Sequence, residues 1–251
     1  MAETLTRPLP ERTEAGGREP LIVRRAALDW PLARSVREGE FLARYRDQVV
    51  GASRAGEERT MTLGEAVALN GDEPDPWYLC WNVHDRRDEL VGELPGAFAS
   101  WYDWLPESVR PAWTWIFVGP SGTGTSLHLD TMGSSAWNAL MSGVKEWRVM
   151  SPRRSVRAGL LSEAVARTLP DVGDVEYTCT QHPGDLLSVP GGWAHEVVNA
   201  GDTVSITGNF VNAANIGTVE ATLARSGNET WREITRRVRQ AAAREEREDQ
   251  G

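Results

Sequence analysis

The sequence contains little cysteine, histidine and lysine, and it has no long apolar run. Its 251 residues include two cysteines, four histidines and a single lysine. Cys80 and Cys179 are too few for a disulfide framework, and their spacing matches no zinc motif. No stretch approaches the roughly 20 apolar residues that cross a bilayer, so we expect no membrane span. The charged, proline-rich start lacks the apolar core of a secretory signal, so we expect a cytoplasmic location.

An excess of positive charge is also absent. The formal net charge is −9, which argues against nucleic acid as a partner, because nucleic-acid-binding domains present a basic face. The chain is 40% hydrophobic, and its length suits one globular domain with its own core. We find no internal repeat and no linker long enough to separate a second domain.

The first half of the chain mixes helix and strand patterns. Thr62, with Glu65 three residues later, forms a capping box and predicts the start of a short helix. The apolar residues 77–83 predict a strand. Before them the pattern predicts, in chain order, a flexible tail, a strand, a helix and a polar loop, over residues 1–19, 20–28, 29–52 and 53–60.

From Trp113 onward the pattern changes to short strands separated by Gly, Pro, Asn and Ser turns. Many short strands at this spacing are typical of a β-sandwich or a barrel. An insertion at 153–176 interrupts the series, and residues 158–169 within it predict a helix. The strand-like segments are residues 113–119, 125–130, 136–143, 145–152, 184–199 and 203–212.

After Asn215 the pattern is helical again and carries two apolar stripes. Such stripes must be buried somewhere. They pack either on the chain's own barrel or against a second copy of the chain. The stripes consist of Ile216, Val219 and Leu223, and of Trp231, Ile234 and Val238.

Three residues in the strand-rich part form a candidate metal site. His128 and Asp130 stand two apart, so in a strand their side chains point to the same face. His195 follows a tight turn further along the chain and offers a third ligand. Two histidines and one carboxylate form the facial triad of non-haem Fe(II) oxygenases. A His-x-Asp pair also arises by chance, and a hydrogen-bonded core histidine is the alternative interpretation.

The lone lysine, Lys145, is the second unusual feature. It stands beside 26 arginines, a ratio that codon bias explains wherever any positive charge will do. A lysine kept in such a chain points to a confined site, where an ammonium and a guanidinium are not equivalent. Chance survival of one lysine is the alternative.

A combined pattern of residues lies in four segments, from Trp113 to Asp130, from Gly133 to Pro152, from Pro190 to His195 and from Ile206 to Phe210. Together these segments resemble the Jumonji C (JmjC) family of oxygenases, and most closely its protein-hydroxylase branch, which includes a nuclear lysyl hydroxylase. The resemblance covers roughly residues 20–212. It implies a mainly β fold: a double-stranded β-helix, or cupin jelly-roll barrel, with flanking N-terminal and C-terminal helices. It also implies Fe(II), 2-oxoglutarate and O2.

The resemblance assigns roles to individual residues. His128, Asp130 and His195 match the iron ligands of the family. Lys145 matches the lysine that pairs with the distal carboxylate of 2-oxoglutarate. Strict strand alternation puts Thr125 opposite His128 unless the strand contains a bulge. The residues that match polar groups of the cosubstrate pocket are Tyr78, Thr125, Asn138 and Thr207.

The activity implied by this resemblance is hydroxylation of a C–H bond on a side chain of a peptide or protein. Hydroxylation of a free small molecule, N-methyl demethylation and a non-catalytic cupin binding module are the alternatives. The catalytic domain would span residues 20–212, and the helices of residues 213–251 would follow it. Because relatives often dimerise through C-terminal helices, we expect a homodimer through residues 216–238.

Overall fold

The computed structural model describes residues 7–11, 18–71, 75–157 and 175–248. The helix predicted at 158–169 lies outside these ranges, as do residues 1–6 and 12–17 of the predicted tail. In the described ranges, no helix combines the length and the apolar character needed to cross a membrane.

The strands, in chain order, are β1 (Arg7–Pro8), β2 (Leu21–Val23), β3 (Val49–Arg54), β4 (Glu57–Thr62), β5 (Tyr78–Asn82), β6 (Thr114–Gly119), β7 (Gly124–His128), β8 (Ser135–Ser142), β9 (Lys145–Met150), β10 (Tyr177–Gln181), β11 (Leu186–Val189), β12 (Ala194–Asn199) and β13 (Thr203–Phe210). The α-helices are α1 (Pro31–Arg37), α2 (Glu40–Tyr45), α3 (Leu63–Asn70), α4 (Arg87–Leu90), α5 (Pro152–Arg157), α6 (Ile216–Ser226) and α7 (Glu229–Glu248). Short 3-10 turns lie at 84–86, 96–98, 101–104 and 131–133.

Two sheets make up the barrel. In the described part of the chain, one has the strand order β1-β10-β9-β12-β7, and the other has the order β2-β11-β8-β13-β6-β5-β3-β4. From β6 to β13 the chain crosses repeatedly between the sheets, and the pairs within this set are antiparallel. This arrangement is a double-stranded β-helix, so the fold predicted from the sequence is confirmed.

Apolar side chains fill the space between the larger sheet and the N-terminal helices. Trp30 packs edge-on against Trp137 of β8 with ring centroids 5.8 Å apart, which joins the start of α1 to the barrel. Thr62 caps α3 by accepting from the Glu65 amide, and the Glu65 carboxylate accepts from the Thr62 amide. The predicted capping box is therefore confirmed.

The structure differs from the sequence prediction near the N-terminus. Arg7 and Pro8, which were predicted to lie in a flexible tail, add a parallel strand to β10. Leu9 is buried beside them. The tail prediction is therefore wrong for these residues, because a distant strand supplies the hydrogen-bond partners.

A β-hairpin replaces two predicted elements between residues 49 and 62. Strands β3 and β4 pair antiparallel around a turn at 55–56. The helix predicted over 29–52 therefore ends with α2, and the polar loop predicted at 53–60 is largely strand. Further along, β10 follows directly on the insertion and was not predicted as a strand.

The apolar stripes of α6 and α7 pack on the same chain. Ile216, Val219, Leu223 and Val238 are buried, and Trp231 and Ile234 pack against that cluster. The Tyr102 and Trp231 rings lie 5.5 Å apart, and the Tyr102 hydroxyl contacts Thr235 Oγ1 at 2.5 Å. The intrachain alternative therefore accounts for both stripes.

Candidate metal and cosubstrate site

Two histidines and one aspartate meet inside the barrel. One ligand atom from each of His128, Asp130 and His195 lies within 4.8 Å of the other two. His195 Nε2 is 3.9 Å from Asp130 Oδ2, and the two imidazole centroids are 4.2 Å apart. Strand β7 ends at His128, so Asp130 projects from the segment just beyond the strand rather than from within it. The cluster can bind one metal ion from one side.

Backbone carbonyls orient both imidazole rings. His128 Nδ1 is 2.9 Å from the carbonyl oxygen of Ser126, and His195 Nδ1 is 3.2 Å from that of Trp193. A carbonyl oxygen only accepts hydrogen bonds, so each Nδ1 carries a proton, and Nε2 is the ring nitrogen left to bind a metal. Burial, with the adjacent His128, lowers the pKa of His195 to about 4, so this ligand is neutral at pH 7.

The turn that carries His195 is fixed to the start of β8 and to α6. The Ser135 hydroxyl oxygen accepts from the Gly191 amide at 2.9 Å and from Asn215 Nδ2 at 2.7 Å. On the other side, Gly133 lies so close to α6 that a Cβ there would come within 2.6 Å of Thr222 Oγ1. The C-terminal helix therefore supports the backbone on both sides of the His-Asp-His cluster.

A β-bulge brings Thr125 to the same cavity as His128. In the pairing of β7 with β12, His128 lies opposite His195 and Thr125 lies opposite Val197, so β7 contains one extra residue. Both side chains line the cavity, and the Thr125 side chain hydrogen-bonds to the Tyr78 hydroxyl. This bulge is the exception that strand alternation required for Thr125. Burial raises the pKa of Tyr78, so its hydroxyl keeps its proton at neutral pH.

Lys145 lies at the far end of the cavity and is 1% exposed. Its Nζ donates to Asn199 Oδ1 at 2.9 Å and lies 5.8 Å from the centre of the Tyr78 ring. Burial lowers the pKa of Lys145 to about 7, and no carboxylate of the described residues contributes to that shift. The barrel therefore encloses a cation without an anionic partner.

Asn138 and Thr207 line the wall between the two ends. They lie opposite each other on β8 and β13, and Asn138 Nδ2 donates to Thr207 Oγ1 at 3.3 Å. Asn138 Oδ1 is buried and has no hydrogen-bond partner in the described structure. A buried oxygen without a partner is costly unless a ligand supplies a donor.

The cavity has a volume of about 380 Å³ and contains all eight residues singled out from the sequence. Strand register gives it a direction. Ala136 follows Ser135, which contacts the turn before His195, so Ala136 marks the metal end of the cavity. Lys145 marks the other end, because it lies opposite Asn199, four residues past His195 on β12. The lining residues that sequence reasoning did not single out include Trp113, Trp115, Phe117, Trp147 and Asn209.

Asn199 was also missed. It lies four residues after His195 on β12, so alternation gives both side chains the same face, and that spacing was the available signal. Its partner could not be read from the sequence, because contact with Lys145 depends on the register between β9 and β12.

Comparison with known proteins agrees with this geometry. Residues 115–210 match the family model described as "JmjC domain, hydroxylase". The chain is 28% identical over 197 residues to the fruit fly (Drosophila melanogaster) "2-oxoglutarate and iron-dependent oxygenase JMJD4 homolog", covering 72% of this chain and 44% of that protein.

Two further relatives carry other activities in their names. The Caenorhabditis briggsae "Bifunctional arginine demethylase and lysyl-hydroxylase psr-1" is 34% identical over 175 residues, covering 59% of this chain and 44% of that protein. The Arabidopsis thaliana "Lysine-specific demethylase JMJ21" is 28% identical over 239 residues, covering 82% of this chain and 24% of that protein. The chain spans less than half the length of each of these relatives. Residues 115–210 of this chain therefore match a JmjC domain, and the chain is similar to oxygenases that carry one.

Proposed function

We propose that this chain is an Fe(II)- and 2-oxoglutarate-dependent oxygenase that hydroxylates a C–H bond on a side chain of a peptide or protein. The observation that carries the proposal is the single cavity with a His-Asp-His cluster at one end and an unpaired buried lysine at the other. A metal and a dianion have complementary sites at the two ends of that cavity.

The cluster suits Fe(II). His128 and His195 would bind the ion through Nε2, because both Nδ1 atoms are engaged with backbone carbonyls, and Asp130 would bind through a carboxylate oxygen. Two imidazoles and one carboxylate on one side of the ion leave the remaining positions for cosubstrate and oxygen. His195 needs no deprotonation before it binds, since it is already neutral at pH 7.

The rest of the cavity suits a keto diacid. Lys145 would hold the distal carboxylate, and Tyr78 and Thr125, which are hydrogen-bonded to each other, would contact it from the neighbouring wall. Asn138 and Thr207 would line the carbon chain between lysine and metal. The match in charge is the main support, because a buried ammonium without an anion is unfavourable until a carboxylate binds.

When bound, Fe(II) and 2-oxoglutarate couple oxidative decarboxylation of the keto acid by O2 to oxidation of a substrate C–H bond, giving succinate, CO2 and an alcohol. The residues of this chain orient and shield. Lys145 fixes the distal end of the cosubstrate, and Trp147, whose ring lies 5.9 Å from that of His195, excludes water beside the metal ligands.

The substrate would enter at the metal end, beside Trp113, Ala136 and Asn209, because the lysine end is closed. Protein side chains are the favoured targets, since the name of the psr-1 relative gives lysyl-hydroxylase and arginine demethylase activities. Demethylation is the second candidate, supported by the names of the Arabidopsis and Caenorhabditis relatives. Hydroxylation of a small molecule and a non-catalytic binding role stay as alternatives.

The deciding measurement is iron content and 2-oxoglutarate-dependent succinate release by the purified protein. We expect one iron per chain and slow release without added substrate, both abolished in Asp130→Ala. Asp88→Ala, which removes an exposed carboxylate on α4, should match the wild type. An iron-loaded wild type without succinate release would favour the binding module, and unchanged turnover in Asp130→Ala would refute the ligand assignment.

Formaldehyde then distinguishes the two reactions. Hydroxylation of an N-methyl group collapses to formaldehyde and a demethylated amine, whereas hydroxylation elsewhere adds one oxygen to the product. Incubation with peptides from a proteolysed lysate, followed by mass spectrometry and a formaldehyde assay, separates the two outcomes.

Two further parts of the proposal concern the whole molecule. A cytoplasmic location stays a prediction, and so does a homodimer through residues 216–238. Such a dimer would have to use the exposed faces of α6 and α7, because the chain's own residues already cover their apolar stripes.

A further inference from the structure

A chain of hydrogen bonds ends on the only lysine of the protein. Lys145 Nζ donates to Asn199 Oδ1 at 2.9 Å, and Asn199 Nδ2 donates to Thr123 Oγ1 at 2.9 Å. The Thr123 hydroxyl in turn donates to the carbonyl oxygen of Pro120 at 2.6 Å. These hydrogen bonds join strands β9 and β12 to the turn between β6 and β7.

The direction of this chain follows from its last member. A backbone carbonyl only accepts, so the Thr123 proton points to Pro120, and Thr123 Oγ1 is left to accept from an N–H group. The Asn199 amide therefore turns its nitrogen to Thr123 and its oxygen to Lys145. The hydrogen bond to the Pro120 carbonyl thus fixes the orientation in which Asn199 Oδ1 accepts from the Lys145 ammonium.

Close packing keeps the network in place. A Cβ at Gly119 would come within 2.5 Å of Asn199 Nδ2 and of Tyr78 Cδ2, and within 2.4 Å of Thr123 Oγ1. The backbone of Asn199 is held too, because its backbone N–H donates to the Thr123 carbonyl and its backbone carbonyl accepts from the Gly122 N–H, each at 2.8 Å. Asn199 itself is 1% exposed, so its side-chain amide has little freedom to rotate.

The other neighbours of Lys145 do not compete for this role. Gln181 lies opposite Lys145 on β10, but its Nε2 donates to the carbonyls of Asn138 and Asp185 and its Oε1 accepts from Trp147 Nε1. Tyr78 presents its ring at 5.8 Å, and its hydroxyl bonds to Thr125. Among the described residues, Asn199 thus supplies the hydrogen-bond acceptor for the ammonium.

We propose that Asn199, oriented by Thr123, is a positioning residue that holds the Lys145 ammonium at the point where it receives the distal carboxylate of the cosubstrate. The inference about 2-oxoglutarate rests on the proposed function; the inference about Lys145 does not. A neutral amide can hold the cation without neutralising it, so the positive charge stays available to the incoming dianion. A carboxylate in the same position would compete with that dianion.

The experiment exploits the single lysine. In protein labelled with [13Cε]lysine, the side chain gives one NMR signal that needs no assignment, and its titration reports the pKa of Lys145 directly. Calorimetry with Mn(II) in place of iron gives the dissociation constant of 2-oxoglutarate in the same samples.

We expect Asn199→Ala to lower the pKa of Lys145 and to weaken 2-oxoglutarate binding by about ten- to a hundredfold, because a hydrogen bond to a charged group is lost. Asn199→Asp should raise the pKa and still weaken binding. Opposite pKa changes with the same loss of affinity are not expected from a merely structural defect. Metal affinity should stay at the wild-type value in both variants.

Asn70→Ala is the control for lost stability. Its amide makes two hydrogen bonds to the backbone of Trp77, away from the cavity, so the lysine signal should titrate as in the wild type. Thr123→Val tests the network more gently, with a smaller effect in the same direction as Asn199→Ala, and Thr123→Ser should restore the wild-type values. If Asn199→Ala does not fold, the Thr123 pair decides.

An unchanged lysine pKa in both Asn199→Ala and Thr123→Val would overturn the proposal, and so would an equal change in Asn70→Ala. If the wild type binds no 2-oxoglutarate, the proposed function fails, and the NMR titration alone decides whether Asn199 holds Lys145. If the wild type binds 2-oxoglutarate and both variants bind it equally well, the positioning role fails while the proposed function stands.

Discussion

Lys145 is enclosed without an opposite charge, which is unfavourable in a protein held together by a barrel core. Burying an ammonium is tolerated when an anion accompanies it or when the group loses its proton. In this barrel the nearest acceptor is an amide oxygen, and the pKa of Lys145 is lowered to about 7. The site is therefore better suited to a bound carboxylate than to an empty cavity.

Lys145→Ala should remove the contact between the ammonium and the distal carboxylate of 2-oxoglutarate, and it should leave the His-Asp-His cluster intact. A charge-assisted contact in a dry site contributes about 1.5–3 kcal/mol, so the dissociation constant of 2-oxoglutarate should rise roughly ten- to a hundredfold. Lys145→Arg should rescue poorly, because a planar guanidinium does not fit a slot built for an ammonium. Calorimetry with Mn(II) in place of iron measures the dissociation constant of 2-oxoglutarate for both variants. Arg148→Ala, on the outward face of the same strand, should bind normally, and wild-type affinity in Lys145→Ala would refute the role.

The affinity for 2-oxoglutarate should depend on pH through the same lysine. Its pKa in the free protein is about 7, below the ordinary value near 10.5, so the ammonium is charged below pH 7 and loses its proton as the pH rises. The dianion needs the charged form. The dissociation constant should therefore be nearly constant in acid and rise above pH 7, with a limiting slope of about tenfold per pH unit for one proton.

Calorimetric titrations across this range test the sign. Lys145→Arg, which stays charged, should show weaker affinity with no such rise. A wild-type affinity that is constant from about pH 6 to pH 9 would contradict the lowered pKa of Lys145, since a cation that stays charged predicts no rise.

The candidate site was easier to predict than its supporting residues. His128 and Asp130 are recognisable because their spacing and chemistry are both local, and Lys145 stands out by composition alone. Asn199 and Thr123 carry no such mark. Their contacts depend on strand register and on the turn between β6 and β7, which a single sequence does not reveal.

Among the secondary-structure elements, β7 does most to shape the site. Its bulge brings Thr125 and His128 into one cavity, and its first residue, Gly124, lies against β12 so closely that a Cβ would come within 2.0 Å of the Val197 carbonyl oxygen. Glycine allows the two backbones to approach. The distance between the strands sets the distance between the two histidine ligands.

Gly124→Ala should push β7 away from β12. We expect a loss of about 1–3 kcal/mol in the free energy of unfolding, as for other overpacked sites, and weaker metal retention because His128 moves relative to His195. Thermal denaturation and metal content measure the two effects. Gly217→Ala, at an exposed helical position with open space around its Cβ, should keep its metal and lose no stability. Full metal retention in Gly124→Ala would show that the close approach is not needed.

Predictions at the level of elements succeeded where the apolar pattern was strong. Apart from β10, the barrel strands after Trp113 are rich in apolar residues and bounded by turn residues, so they were predicted to within a few residues. The β3–β4 hairpin was missed because β4 is the outermost strand of its sheet, has mostly polar side chains and buries none of them. Strand β1 has two residues and forms through pairing with β10, a contact between distant parts of the chain.

At the scale of the whole molecule, the C-terminal helices close one side of the barrel. Helix α6 contacts the 131–133 turn just after Asp130, and Asn215 at its start hydrogen-bonds to Ser135. The same helix pair buries its apolar stripes against Tyr102 and Trp113. The packing of this helix pair therefore supports the His-Asp-His cluster and leaves the charged faces of α6 and α7 to solvent.

Trp231→Glu tests whether the helix pair serves the fold of one chain or an interface between two. Trp231 packs against Tyr102 within the chain, so a charge there should destabilise the fold by about 1–3 kcal/mol and lower Tm by roughly 2–12 °C, without changing the mass in solution. Light scattering and thermal denaturation of the same samples measure both. Gln240→Glu makes the same charge change at an exposed position of α7 and should leave Tm nearly unchanged. A wild-type dimer that Trp231→Glu converts to a folded monomer of unchanged Tm would instead show that this segment joins two copies.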